Sequence, residues 1–412
     1  MLKGHALFVV IIISLIIGLL SGSVIFIAYY HRITISDSLV RKQMLLNTDS
    51  AVNLILSSDE QFPSGEEFLL DLFDEENDSI WVKTNNWGLY RVAAIKSFNG
   101  KRSFYKAFQY GMAVNKAEAC ALYLADHNNY LSLAGNTFIR GKCYLPLHGV
   151  KGTKVANKYF EGEKLIHGPV LRSKEYLPVP DKGIISGLLS FFAVSGTQTS
   201  LPFADSLNIS FFDPTFRVEH HELIRISHKL IKGNVHVFSS KGIIIESDAI
   251  IEDAVFVAPY IRIENGFKGN LQAFATDSLV VGSSVSLNYP SVVGLLKNKY
   301  SIKTPYIFVG ENVNIQGVLF TRQIHNDDKK TMVKIPRTTE IEGEVYVDGY
   351  MDLQGKVFGS VYCENITLKT YANIYKNVLF DATIDLDGLS NFYVGSALLP
   401  AIAEKRMVKW LR

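Results

Sequence analysis

Over residues 243 to 287 apolar side chains arrive in pairs at a six-residue interval, a spacing that few folds accept. Ile245, Ile251, Val257 and Ile263 stand six apart, and Ile243, Ala249, Val255 and Ile261 run two residues ahead of them. The beat returns in Leu279 and Val281 with Val285 and Leu287, and in Ile307 and Val309 with Val313 and Ile315. Later it runs through Val345, Met351, Val357 and Cys363, and through Ile341, Val347, Leu353 and Gly359. Side chains at i and i+2 share one face of a strand. An amphipathic helix requires recurrence near 3.6 residues, and a meander requires longer alternating runs with hairpin turns. A six-residue module of short strand plus corner fits a parallel β-solenoid, three modules to a turn, with turns stacked about 4.8 Å apart. On this reading Ile245, Ile251, Val257, Ile263, Val347 and Leu353 point into a narrow core that only stacking can bury.

Three segments break the rhythm and read as loops or covers: FKGNLQAFATDS (267–278), YPSVVGLLKNKYSIKTPY (289–306) and TRQIHNDDKKTMVKIPRTTE (321–340). The ends of such a stack expose unpaired strand edges unless capped. PAIAEKRMVKWLR (400–412) reads as a basic amphipathic helix that caps the C-terminal end, with a membrane-surface role as the competing view. SFFAVSG (190–196) and HHELIRISHKLI (220–231) are the candidates for the other end. IEGEVYVDGYMDLQGKVFGSVYCENITL (341–368) resembles the bactofilins in its G-x-V and I-x-G cadence. That resemblance implies end-to-end polymerisation without nucleotide, from which the insertions and caps here depart.

Residues 6 to 30 carry no charge. At helical rise they reach about 37 Å, enough to cross a bilayer with some tilt. The run is longer than the apolar region of a cleaved secretory signal and ends in Tyr29 and Tyr30, an interfacial pair, so it reads as a retained anchor in the lipid bilayer. Lys3 lies on one side and His31, Arg32, Arg41 and Lys42 on the other, which leaves orientation open. Gly18 and Gly22 form a GxxxG pair that allows close helix approach.

MLKG followed at once by HALFVVIIISLIIGLL resembles a type IV prepilin or pseudopilin N-terminus. The resemblance implies cleavage after Gly4, which leaves His5 as the mature first residue, and pilus-assembly proteins as partners. Val9 stands where that family usually has glutamate, a departure shared by some minor pseudopilins of the filament tip. No Gly or Pro occurs between Ser23 and Pro63, so one helix can run through LVRKQMLLNTDSAVNLILSS, although ITIS (33–36) is a poor helix former.

Between these two regions SSDEQFPSGEEFLLDLFDEENDS (57–79) reads as a solvated acidic linker. Residues 80–111 alternate aromatic and polar residues about an Asn99-Gly100 turn, as a β-hairpin does. Residues 122–146 continue in short β-type segments. GIISGLLSFFAVSG (183–196) is too short for a second span and reads as a buried or amphipathic helix over one end of the β-structure.

Net charge is +2, with 42 basic and 40 acidic residues, so no global positive field calls for nucleic acid. Cys120, Cys143 and Cys363 are too few and too scattered for a disulfide framework or a short-spaced zinc site; Cys120 and Cys143 either pair or stay as buried apolar residues. His220, His221, Glu222 and His228 lack the His-Glu-x-x-His spacing of a zincin. No nucleophile elbow or phosphate-binding loop is present, and no cofactor is called for. Parallel β-helices also carry polysaccharide-cleaving sites, whose acids project from adjacent turns. Asp248, Asp253, Asp277 and Glu264 are the acids of that kind here, and polysaccharide is the ligand they would take.

The sequence therefore predicts a mainly β protein: an anchor and stalk (1–57), an acidic linker (58–79), a β-rich domain (80–182), an amphipathic capping segment (183–232), a solenoid (233–395) and a C-terminal capping helix (396–412). The expected role is non-enzymatic, as a structural, assembly or adhesion protein of the bacterial-type envelope. It would span the plasma membrane once, with its body on the extracytoplasmic side. Two alternatives stand: a tethered carbohydrate-active enzyme, or a cytoplasmic bactofilin-like scaffold.

Overall fold

The computed structural model describes residues 2–58, 64–70, 78–193, 206–297, 304–324, 329–371, 373–399 and 404–411. The chain is mainly β with a long N-terminal helix, and it divides into two compact units.

The first unit holds the helix α1 (Leu2–Ser57), with residues 66–83 and 95–106. The helix does not break at ITIS. The Thr34 hydroxyl donates to the Tyr30 carbonyl and the Ser38 hydroxyl to that of Thr34, both at 2.9 Å, so each is satisfied one turn back. Residues 5–39 are exposed, whereas Met44, Asn47, Thr48, Ala51, Val52 and Ile55 are buried. Their spacing of three and four makes one helix face. Arg102 pairs with Asp37, and Lys106 with Asp49 at 2.9 Å, which sets the strand residues 102–106 beside the helix. The acidic stretch is not wholly a linker: β1 (Glu67–Leu70) pairs antiparallel with β2 (Asp78–Trp87), and Glu67 meets Lys83 at 3.1 Å. Residues 59–63 and 71–77 lie outside the described residues.

β2 leads through a turn at Gly88 into β3 (Tyr90–Asn99), which turns at Gly100 into β4 (Arg102–Ala113). The Asn-Gly turn falls where the sequence predicts it. Beyond β4 the second unit begins its own pattern.

Three columns of parallel strands build that unit. In the first, Val235–Ser239 follows Phe216–His220, and the column continues through segments starting at Ala254, Leu271, Ser291, Gly317, Gly343 and Gly359. The second runs through Ile243–Ile245, Ile261–Ile263, Leu279–Val281, Ile307–Val309, Met332–Lys334 and Tyr350–Asp352. The third joins Leu230–Gly233, Ile250–Glu252, Ser286–Leu287, Asn314–Ile315, Glu340–Ile341 and Lys356–Val357. Ile245, Ile263 and Val281 are partners in register, 18 residues apart along the chain. The pairings close on themselves into a body whose strands run parallel almost throughout.

Order along the columns is not order along the chain. Val361–Cys363 pairs with Leu122–Leu124 of β5 (Cys120–Leu124), and Thr383–Asp385 with Phe138–Arg140. Cys143–Leu145 then carries Val170–Arg172. Residues 120–172 thus add strands to a closed parallel body that otherwise comes from residues 206–385. The chain leaves the sheet after β4, makes those strands, crosses back and builds the remainder. It returns to β4 through Val394–Gly395 and Lys405–Leu411.

Several expectations are corrected here. Residues 405–411 form a strand, not a capping helix, because the edge of β4 offers them a full ladder of backbone partners. HHELIRISHKLI likewise joins columns as strand, with Ile224–Ile226 and Leu230–Gly233. FKGNLQAFATDS is no loop, since Leu271–Val281 is one continuous strand. The other two interruptions are also mostly strand, Ser286–Lys297 and Asn314–Gln323 followed by Thr331–Ile335, while 298–303 and 325–328 lie outside the described residues. The helix α2 (Lys182–Phe191), capped by Asp181, is present as predicted but packs on a side of the body. Its Ile184 and Leu188 join Trp87, Phe238 and Val257, and the Phe191 ring lies 4.9 Å from that of His236, tilted by 50°.

Val257 stands apart from the other named core residues. Ile245, Ile251, Ile263, Val347 and Leu353 all lie in the inner core, but Val257 belongs to a second apolar cluster. Asp253 takes a left-handed conformation (φ 68°), and after it Ala254, Phe256 and Ala258 face the inner core while Val255 and Val257 face Trp87. Every residue from Ala254 to Ala258 is buried, so an i, i+2 pattern in the sequence cannot say which pair points in.

Candidate functional site

The first candidate is α1 itself. It contains a stretch long and apolar enough to cross a membrane, and Leu7 through Tyr30 are exposed wherever they are apolar and large. The Gly4–His5 bond lies within its opening turns. Gly18 and Gly22 fall one turn apart, and a Cβ on either would meet nothing within 4 Å. The helix surface there is open to a partner, and among the described residues none occupies it.

The second candidate is the outward surface of the body, where a carbohydrate site would require converging acids. Asp248 contacts His228 at 2.8 Å and Glu264 contacts Arg262 at 2.8 Å. Asp277 accepts from Thr276 at 3.5 Å. Asp253 pairs with Lys409, its backbone carbonyl accepts the Trp87 indole N–H at 2.8 Å, and burial raises its pKa above the usual carboxylate range. The four acids sit on different segments, each with its own partner. Other outward acids pair with cations on adjacent strands, including Glu246 with Arg225, Glu252 with Lys232, and Glu340 with Lys356 at 2.6 Å.

The clustered histidines also separate. His220 Nδ1 accepts from the Glu222 amide at 3.1 Å, His221 meets Ser240 at 3.3 Å, and His228 turns to Asp248. Among the described residues no group of three or more His, Cys, Asp or Glu is placed to hold a metal ion. Cys120, Cys143 and Cys363 are free and buried; burial pushes the Cys120 and Cys143 thiols up to about 12.

One polar cluster escaped the sequence reading. Glu344 lies on the first column, and its carboxylate accepts the Ser396 hydroxyl at 2.6 Å. Tyr90, Tyr289 and Tyr393 surround it, with Tyr289 and Tyr393 rings 5.4 Å apart and Tyr90 and Tyr289 rings 6.4 Å apart. The Tyr289 hydroxyl donates to the Val394 carbonyl at 2.8 Å and the Tyr393 hydroxyl to the Gly317 carbonyl at 3.1 Å. Desolvation raises the Glu344 carboxyl to about 7, with Ser396 opposing. The cluster has room because Gly317, Gly343 and Gly359 stack in register at φ of 140° to 146°. The I-x-G cadence announces that glycine column; nothing in the sequence announces the acid beside it.

No family model matches the chain and no curated protein matches it, so neither the prepilin nor the bactofilin likeness gains support there. Among solved structures the chain is similar to the competence-associated pilin ComZ from Thermus thermophilus, at 11% identity and a TM-score of 0.22, over 90% of this chain and 96% of that one. A score of that size does not establish a shared fold, and the functional reading below rests on the residues alone.

Proposed function

We propose that this chain is a non-enzymatic, membrane-anchored envelope subunit of pilin type, whose body is a three-sided parallel β-solenoid. One observation carries the reading. A single helix is uncharged and exposed through residues 6 to 30, then buries one face from Met44 to Ile55 within the first unit. Such a helix is both bilayer span and stalk, and its first half has no place in a water-soluble globule. The parallel pairing of Ile245 with Ile263 and of Ile263 with Val281, 18 residues on each time, supports winding over an up-and-down barrel. Outward acids tied to neighbouring cations support a structural surface over a hydrolytic cleft. The body faces the extracytoplasmic side, and pilus-assembly or other envelope proteins are its partners.

The mass of the mature N-terminus tests the pilin half. Cleavage after Gly4 gives a chain that starts at His5 and fails to form in a Gly4→Leu variant. An intact start at Met1 or Leu2 removes the pilin reading and leaves a plain anchor. Protease protection in spheroplasts tests the side: a body resistant until the membrane is opened refutes the extracytoplasmic placement.

A further inference from the structure

We propose that Glu344 is a proton-operated latch that seats the returning segment Tyr393–Leu398 on the body when neutral and loosens it when ionised. The inference does not depend on the pilin reading. Besides its ladder with β4 at Val394 and Gly395, the segment is held at five points: Tyr393 to Gly317, Val394 by Tyr289, Ser396 to Glu344, the Ala397 amide to the Leu89 carbonyl at 2.8 Å, and the Leu398 carbonyl by the Asp181 amide at 2.7 Å. Through it the body returns the chain to β4, by Val394–Gly395 and then Lys405–Leu411.

Four of those five contacts are indifferent to pH near neutrality. The fifth is not. Facing the Glu344 carboxyl are Tyr90, Tyr289 and Tyr393, the Ser396 hydroxyl and, on the adjacent strand, Tyr362; burial holds the four phenols above their usual range, so all stay neutral. No lysine, arginine or histidine is paired with Glu344 among the described residues. Ionisation therefore places a charge with no cation partner among tyrosine rings, where a partly lost hydration shell is returned only by the Ser396 hydroxyl and amide. Lifting the segment readmits water. The close fit adds to this: a Cβ on Gly395 would lie 2.5 Å from the Glu344 carboxylate, so the seated segment packs directly against that group.

Linkage fixes the sign. Glu344 is raised from 4.5 to about 7, so the seated state binds the proton more tightly than the lifted one, and seating weakens as pH rises between those values. Hydrogen exchange of the full chain in detergent, corrected for the intrinsic pH dependence of exchange, reads this directly at the Ala397 and Asp181 amides. Between pH 5 and pH 8 their protection is expected to fall at least tenfold. In Glu344→Gln it stays constant, and in Ser396→Ala, which removes the hydroxyl that favours the anion, the midpoint moves upward. Equal protection at both pH values in the natural chain overturns the latch. An unchanged fall in Glu344→Gln, in a variant whose other amides keep their protection, overturns it as well.

Discussion

Replacing Gly343 by alanine tests the stacked glycine column, and its cost follows from the geometry. Gly343 sits at φ 140°, where an L side chain is strained whatever the space around it. Its new Cβ would come well inside 3 Å of the Gly317 carbonyl oxygen and 2.5 Å from the Tyr393 hydroxyl. A carbonyl locked in a parallel ladder cannot give way as a flexible side chain can, so the Tyr393 bond to that same carbonyl is lost or the ladder shifts. Backbone strain of about 1–3 kcal/mol and a hydrogen bond worth about 1 kcal/mol sum to roughly 2–4 kcal/mol. That is a large part of a typical folding stability of about 5–15 kcal/mol. Urea unfolding of the detergent-solubilised chain, followed by tyrosine fluorescence, is the assay. The midpoint should fall with the m-value unchanged. Gly18→Ala is the control: nothing lies within 4 Å of its Cβ, and helix propensity favours alanine. A Gly343→Ala midpoint equal to that of the natural chain would refute the argument that the column admits no side chain.

Four other outcomes are expected. The body should lose stability as pH rises from 4.5 towards 7, by at most about 3 kcal/mol from the Glu344 shift and less for its half-buried setting, and Glu344→Gln should flatten the thermal-melt profile across that window. Val257→Glu should destabilise as much as Ile263→Glu, by at least about 3 kcal/mol in urea unfolding, because both positions are fully buried although they face different clusters. Asp253→Ala should cost more than Asp253→Asn in the same assay, since asparagine keeps the tolerance for φ 68° while both lose the charge that meets Lys409. Phe256→Ala, which empties the inner core of a large side chain, should cost about 3–5 kcal/mol.

A period of six has few physical explanations, and Ile245, Ile251, Ile263, Val347 and Leu353 share one buried apolar cluster. The couplets failed at Val257 for a local reason: a strand apolar on both faces carries no phase. The C-terminal segment misled because a basic, apolar-alternating run of seven residues satisfies helix and edge strand alike, and only the vacant edge of β4 chooses between them. The Glu344 cluster was invisible. Its members come from residues 90, 289, 344, 393 and 396, and no pattern along the chain ties them together.

What the sequence by itself determined is everything with a short period or a sharp composition: an uncharged 25-residue run, a six-residue aliphatic beat and a glycine at every I-x-G corner. Local periodicity maps onto local geometry, so these survive without knowledge of the rest. Tertiary structure alone decided that residues 120–172 continue the columns built from 206–385, that the last strand completes the sheet at β4, and that a carboxyl with no cation partner among the described residues ends among tyrosines. Each depends on which strand edge is free when distant segments meet, and strand edges are backbone, identical in every residue but proline.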